Sequence, residues 1–298
     1  SSDVCSSDLL IRPYFPETVI GLLLLAFLRV DPGALRAQWR EPRLLLVAAV
    51  WTMLIQPVLA LGMLAGTMHL IGGAFPASLA LALVLHAVAP PTFSSPSLAT
   101  LIGLNGAISL AVLIACTAIT PLTSPALVAA FFGSEVSLSP LALGLRLILI
   151  LAGAALTALA IRAVAGKAWV ERQAERLDGL SVLMLFGFAI ALMGDVLPNT
   201  LTQPLLVLGL IALSTSVSVA LTAATALAFL LSGREAAFTL GHTSGSRNMG
   251  LMLAAASAGS APEFVWLYVA LAQFPIYLLP LLYKPLVRRL MPRQDASP

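Results

Sequence analysis

Charge is what this chain lacks. Only 10% of its 298 residues are Asp, Glu, Lys or Arg, while 59% are hydrophobic and the mean hydropathy is +0.99. Soluble domains carry about 25% charged residues. A water-soluble fold this poor in charge could not cover its surface, so the composition calls for lipid as solvent. Cysteine is scarce too. Cys5 and Cys116 are the two present, which rules out a disulfide framework and a cysteine-based metal site. The spacings of a zinc peptidase (His-Glu-x-x-His) and of an intramembrane serine protease (Gly-x-Ser-Gly) are both missing. Thr243-Ser244-Gly245 follows His242 instead, so we expect no enzyme and no cofactor.

What is abundant is long apolar segments. A spanning helix needs roughly 20 apolar residues. Nine segments qualify: Tyr14–Val30, Leu44–Leu70, Phe75–Leu101, Gly106–Phe132, Ser139–Ala165, Leu177–Val196, Gln203–Leu231, Glu235–Ala258 and Pro262–Leu286. The fold expected is therefore an all-α membrane protein. Ser1–Leu9, reading SSDVCSSDL, is polar and unlike the rest. It has neither the basic nor the apolar part of a signal peptide and reads as a non-native adapter scar, with a first helix lost before it.

The net charge of +3 reflects topology. Alternate loops hold Arg36, Arg40 and Arg43, then Arg162, Lys167, Arg172 and Arg176, then Arg234, then Lys284, Arg288, Arg289 and Arg293. The opposite loops hold Glu135, Asp195 and Glu263, with Arg12 beside the scar. By the positive-inside rule the basic side, with the C-terminal tail 291–298, is cytoplasmic. The location expected is a bacterial inner membrane, and nucleic acid is not an expected partner. Lys167–Asp178 reads as a solvated loop. Trp266 and Tyr268 read as anchors at the outer interface, and Arg146 as a residue snorkelling outward.

Two spans are interrupted. In the first, Ala89-Pro90-Pro91-Thr92-Phe93-Ser94-Ser95-Pro96 contains two adjacent prolines that forbid a continuous helix. Ser95 as N-cap with Pro96 after it restarts the helix. In the second, His242-Thr243-Ser244-Gly245-Ser246-Arg247-Asn248 breaks the apolar pattern. At about 1.5 Å per residue from Glu235, Arg247 lies roughly 18 Å deep, near the midplane. Irregular backbone at that depth survives where it lines protein or a cavity. Breaks at corresponding places in two halves point to inverted repeats with a binding site between them.

In these residues the chain resembles the bile acid:sodium symporter family. The likeness runs from about Pro13 to Leu290 and is strongest in Pro42–Pro57, Ala89–Pro125 and Gly245–Leu253. It implies ten helices in two inverted repeats, the first helix missing here, with two discontinuous helices crossing at the midplane. Residues 11–31 and 139–196 would form a panel domain, and 43–132 with 203–290 a core domain. The family's sodium-binding pattern Glu-x-x-x-Gln-Asn falls on Thr243, Arg247 and Asn248, and its Ser-Asn on Ser95-Pro96. Further positions of its site fall on Thr52, Ser109 and Leu113. A guanidinium stands where sodium ligands belong, so no resident metal is expected. A cysteine used by arsenite carriers falls at Val88 or Ala89.

The functional expectation is a secondary-active transporter of a small organic anion that does not use the usual sodium site. A sodium-coupled symporter and a non-transporting receptor are the alternatives. Arg247 has two readings: a clamp for the substrate anion, or a built-in cation tying carbonyl ends together. Thr243, Ser94, Ser95, Ser244, Ser246 and Asn248 flank the breaks, where half-helix N-termini attract anions. His86 and His242 are candidates for proton coupling, with proton or sodium as the coupling ion.

Overall fold

The computed structural model describes residues 12–30, 42–71, 75–132, 139–257 and 261–290. The expected adapter scar, the basic residues Arg36, Arg40 and Arg293, Glu135 and the tail lie outside them. Among the described residues the chain is helical and contains no strand. Among the described residues, six helical runs are long and apolar enough to cross a membrane: Pro42–Leu70, Gly106–Phe131, Pro140–Ala165, Ala174–Thr202, Pro204–Ala228 and Glu263–Leu290. The protein is a multi-pass, all-α membrane protein. The first expected span is a 15-residue helix, α1 (Phe15–Arg29). The two interrupted spans are each split in two.

The run Pro42–Leu70 contains α2 (Pro42–Val50), a π-helical turn (Trp51–Ile55) and α3 (Gln56–Leu70). Pro57 explains the π turn. It has no N–H, and the N–H of Gln56 goes back to the carbonyl of Trp51. The carbonyl of Thr52 is left without a helical donor.

The first split span is α4 (Ala77–Val88) and α5 (Ser95–Ile102). Ala89 is extended, as a residue before proline prefers. The restart lies one residue earlier than the sequence implied: Ser94 is the N-cap and makes no side-chain capping bond. Ser95 Oγ turns back instead and donates to the carbonyl of Thr92 at 2.9 Å. Gly103, with φ 92°, ends α5 in the left-handed conformation that glycine tolerates. Asn105 Oδ1 then accepts from the N–H groups of Ala107 and Ile108 and opens α6 (Gly106–Phe132).

After α6 come α7 (Pro140–Ala165), α8 (Lys167–Arg172), α9 (Ala174–Met193), α10 (Val196–Thr202) and α11 (Pro204–Ala228). The charged segment Lys167–Asp178, expected as a loop, is largely helical, in α8 and the start of α9. The second split span is α12 (Arg234–Gly245) and α13 (Met249–Ser257). The last run is α14 (Glu263–Leu271) followed by α15 (Gln273–Leu290).

α1 packs on α7 and α9, and α12 packs most extensively on α11. Glycine permits the second contact. A Cβ on Gly241 would lie 2.8 Å from the carbonyl of Thr222, and one on Gly245 would overlap Thr222 Oγ1. Ser214, Ser218 and Thr225 are buried on α11, giving it a polar stripe amid apolar residues.

Two sequence expectations are corrected by packing. Trp266 and Tyr268 are 6% and 0% exposed, so protein and not the lipid interface surrounds them. Trp266 meets Phe15 edge-on and lies beneath the Arg12 guanidinium, which is ion-paired with Asp195. Arg146 does not snorkel. Its Nη1 donates to the carbonyls of Ala255 and Ala256 near the C-terminal end of α13, where a cation is favoured. Arg162 does the same for α1, donating to Leu28 and Val30 at 2.7 Å.

Candidate functional site

The two breaks meet each other. Pro91 and Arg247 form an isolated antiparallel β-bridge. The N–H of Thr92 donates to the carbonyl of Ser246 at 2.8 Å, and that of Asn248 to the carbonyl of Pro90 at 2.7 Å. Backbone groups freed by unwinding two helices are thus satisfied by the other's break.

Arg247 sits at this junction, 1% exposed. Its Nη1 donates to the carbonyl of Ala89 at 2.7 Å and to that of Thr52 at 3.1 Å. Its Nη2 donates to Gln56 Oε1 at 2.5 Å. One acceptor follows the C-terminal end of α4, where the dipole is negative. Another is the carbonyl that the π turn before Pro57 leaves open. Three of the five N–H groups of the guanidinium are thus held by protein oxygens. Nε is buried without a partner.

Gln56 and Thr225 complete the cage, and neither was expected from the sequence. Gln56 Nε2 donates to the carbonyl of Leu221 and to Thr225 Oγ1, which fixes its oxygen toward Arg247. Thr225 Oγ1 also receives Trp51 Nε1 at 2.9 Å and Ser244 Oγ at 2.6 Å. A glutamine in an apolar span and the i, i+4 polar stripe on α11 were the available signals.

The remaining predicted residues divide. Asn248 caps α13, its Oδ1 accepting from the N–H of Leu251 at 3.0 Å. Thr243 Oγ1 lies 2.7 Å from Ser109 Oγ and 2.8 Å from the carbonyl of Thr239, so it is spent on its own helix and on α6. Ser246 contributes its carbonyl to the bridge. His242 Nε2 is 3.1 Å from the carbonyl of Ser95, so it carries the proton and donates. His242 Nδ1 is left to accept from Tyr283 Oη at 2.5 Å. His86 Nδ1 is 3.0 Å from Tyr268 Oη. Among the described residues no group of His, Cys, Asp and Glu is placed to hold a metal.

Beside the paired breaks lies a cavity of about 490 Å³. Leu22, Leu23, Ala26 and Phe27 of α1, Leu110, Leu113 and Ile114 of α6, and Val182, Leu185 and Phe188 of α9 give it apolar walls. Thr92, Ser94, Arg247 and Asn248 line it at the breaks, with Gln273 and Tyr277 from α15. Arg29, at the end of α1, and Ser181, two turns into α9, also line it. Thr92 Oγ1 and Ser94 Oγ are 2.8 Å apart and hydrogen-bonded to each other. Of the predicted site residues, Ser94, Arg247 and Asn248 border the cavity, whereas Ser95, Thr243, Ser244, Ser246, His86 and His242 do not.

No protein-family model and no curated protein matches the chain.

Proposed function

We propose that the protein is a secondary-active transporter of a small organic anion, working by alternating access, with Arg247 in the place of a bound coupling cation. The observation that carries this reading is the charge of the cavity. Among the described residues its charged lining residues are two arginines, Arg29 and Arg247, and the Asp178 that pairs with Arg29 is not one of the lining residues. An apolar chamber with a few convergent polar groups and a positive potential suits an organic acid.

The nine-span reading, with two inverted repeats, belongs to the same proposal. So does the division into a panel of α1, α7 and α9 and a core built around the crossing. The cavity lies between the two units, where alternating access requires a site. On the proposed topology its Arg29 end faces the cytoplasm. The Arg12–Asp195 pair and the Phe15–Trp266 contact lie at the opposite end, as a closed outer gate would. Na⁺ has no vacancy in the Arg247 cage, because the guanidinium already uses its oxygens. The test is an uptake screen of labelled carboxylic acids in proteoliposomes, with and without a proton gradient. Accumulation or exchange of at least one acid is expected, and indifference to every acid contradicts the proposal.

A further inference from the structure

Arg247 is buried and three of its N–H groups are held by protein oxygens, so among the described residues lining the cavity Arg29 is the more accessible cation. Arg29 is the last residue of α1. Its side chain is 40% exposed, and it lines the cavity together with Ser181. Nη2 donates to Ser181 Oγ at 3.2 Å and is ion-paired with Asp178, both on α9. Asp178 is 63% exposed. Ion pairs exposed to this degree are weak, so a second carboxylate can take the place of the first at little cost. A guanidinium presents a planar fork that matches a carboxylate with two parallel hydrogen bonds, and the Ser181 hydroxyl, which donates to the carbonyl of Leu177, accepts from it and helps position it.

We propose that Arg29 is the residue that receives the carboxylate of the transported acid, exchanging Asp178 for it. The inference rests on the anion-carrier reading and names the recognition group of its site. The acid's apolar body then lies along Leu22, Ala26, Leu185 and Phe188, toward the breaks. From Arg29 back to Val19, which also lines the cavity, α1 spans roughly 15 Å. That length accommodates an acid with a ring-sized apolar body. Asp178 is thereby a competitor of the substrate as well as a partner of Arg29.

That competition makes the proposal testable, because removing the two members of one ion pair must have opposite effects. The probes are radiolabelled 1-naphthoate and its neutral amide, 1-naphthamide. Equilibrium dialysis measures their binding to the full chain in lipid nanodiscs, with empty nanodiscs subtracted. The wild-type chain is expected to prefer the acid by about tenfold or more, the scale of one charge-assisted contact. Arg29→Gln should abolish that preference and leave the amide unchanged. Asp178→Asn should tighten acid binding several-fold, roughly the Coulomb competition removed. Arg29→Lys should fall between. If Arg29→Gln does not fold, the gain in Asp178→Asn still decides the matter. Weakened acid binding in both variants makes the pair merely structural and overturns the proposal. Acid binding unaffected by Arg29→Gln, or no saturable binding of the acid, also overturns it. Saturable, Arg29-dependent binding without flux in sealed liposomes supports Arg29 as the recognition group and removes transport alone.

Discussion

The guanidinium of Arg247 and the carbonyl of Ala89 are joined by a 2.7 Å hydrogen bond that crosses from one broken helix to the other. Beside it Pro91 and Arg247 pair through their backbones. A charge that would be costly in a bilayer is distributed over oxygens that unwinding has left available. The paired breaks and the buried cation stabilise each other.

Arg247→Ala is therefore expected to destabilise the fold by about 3–5 kcal/mol, as removal of one partner from a buried charged network does. Arg247→Lys should recover only part of that, because one ammonium cannot reproduce the two-nitrogen reach to Thr52, Ala89 and Gln56. Urea-free thermal unfolding in one detergent measures both. A loss below about 1 kcal/mol for Arg247→Ala, the range of an ordinary surface substitution, would contradict the cage.

Gln56→Leu should cost about 1–3 kcal/mol, since it leaves one arm of a buried guanidinium without an acceptor. In a double-mutant cycle with Arg247→Ala the two losses should fall well short of additive. Strict additivity would show that the 2.5 Å contact carries no energy.

Pro57→Ala restores an N–H that a regular helix can use. Proline is about 3 kcal/mol worse than alanine inside a helix, so the substitution would stabilise an ordinary one. Here it is expected to bring no such gain, because closing the π turn withdraws the Thr52 carbonyl from Arg247. A gain approaching 3 kcal/mol would mean that the π turn serves nothing.

Gly245→Ala should destabilise by about 1–3 kcal/mol, the usual cost of overpacking. The added Cβ would meet Thr222 Oγ1 and come within 2.9 Å of the Ser218 carbonyl. Gly62, whose Cβ would meet nothing within 4 Å, is the control. Gly62→Ala should be neutral or gain up to about 1 kcal/mol. Equal behaviour of the two would argue against tight packing of α12 on α11.

Much of this arrangement could be read from residue order, and the parts that could not share one cause. Pro90-Pro91 and the polar run His242–Asn248 announce both breaks, because each violates a local rule for a buried helix. That the breaks pair through Thr92 and Ser246 is a tertiary fact with no local signature. Arg247 was recognisable as a charge needing partners. Its partners were not, since two of its three acceptors are backbone carbonyls, which every residue has. Gln56 was passed over because it sits inside an apolar span whose other polar features are few. Trp266, Tyr268 and Arg146 were misplaced for a related reason. An aromatic or a cation near a span end looks the same whether lipid or another helix covers it.

The central claim is that an organic acid moves through this protein without a sodium ion, because Arg247 already supplies the positive charge. Its most direct test is the initial rate of uptake of the best-transported carboxylate into proteoliposomes, in sodium chloride and in choline chloride at equal osmolarity. The account predicts the same rate in both. Uptake that requires sodium and saturates with it, or no uptake of any carboxylate, would contradict it.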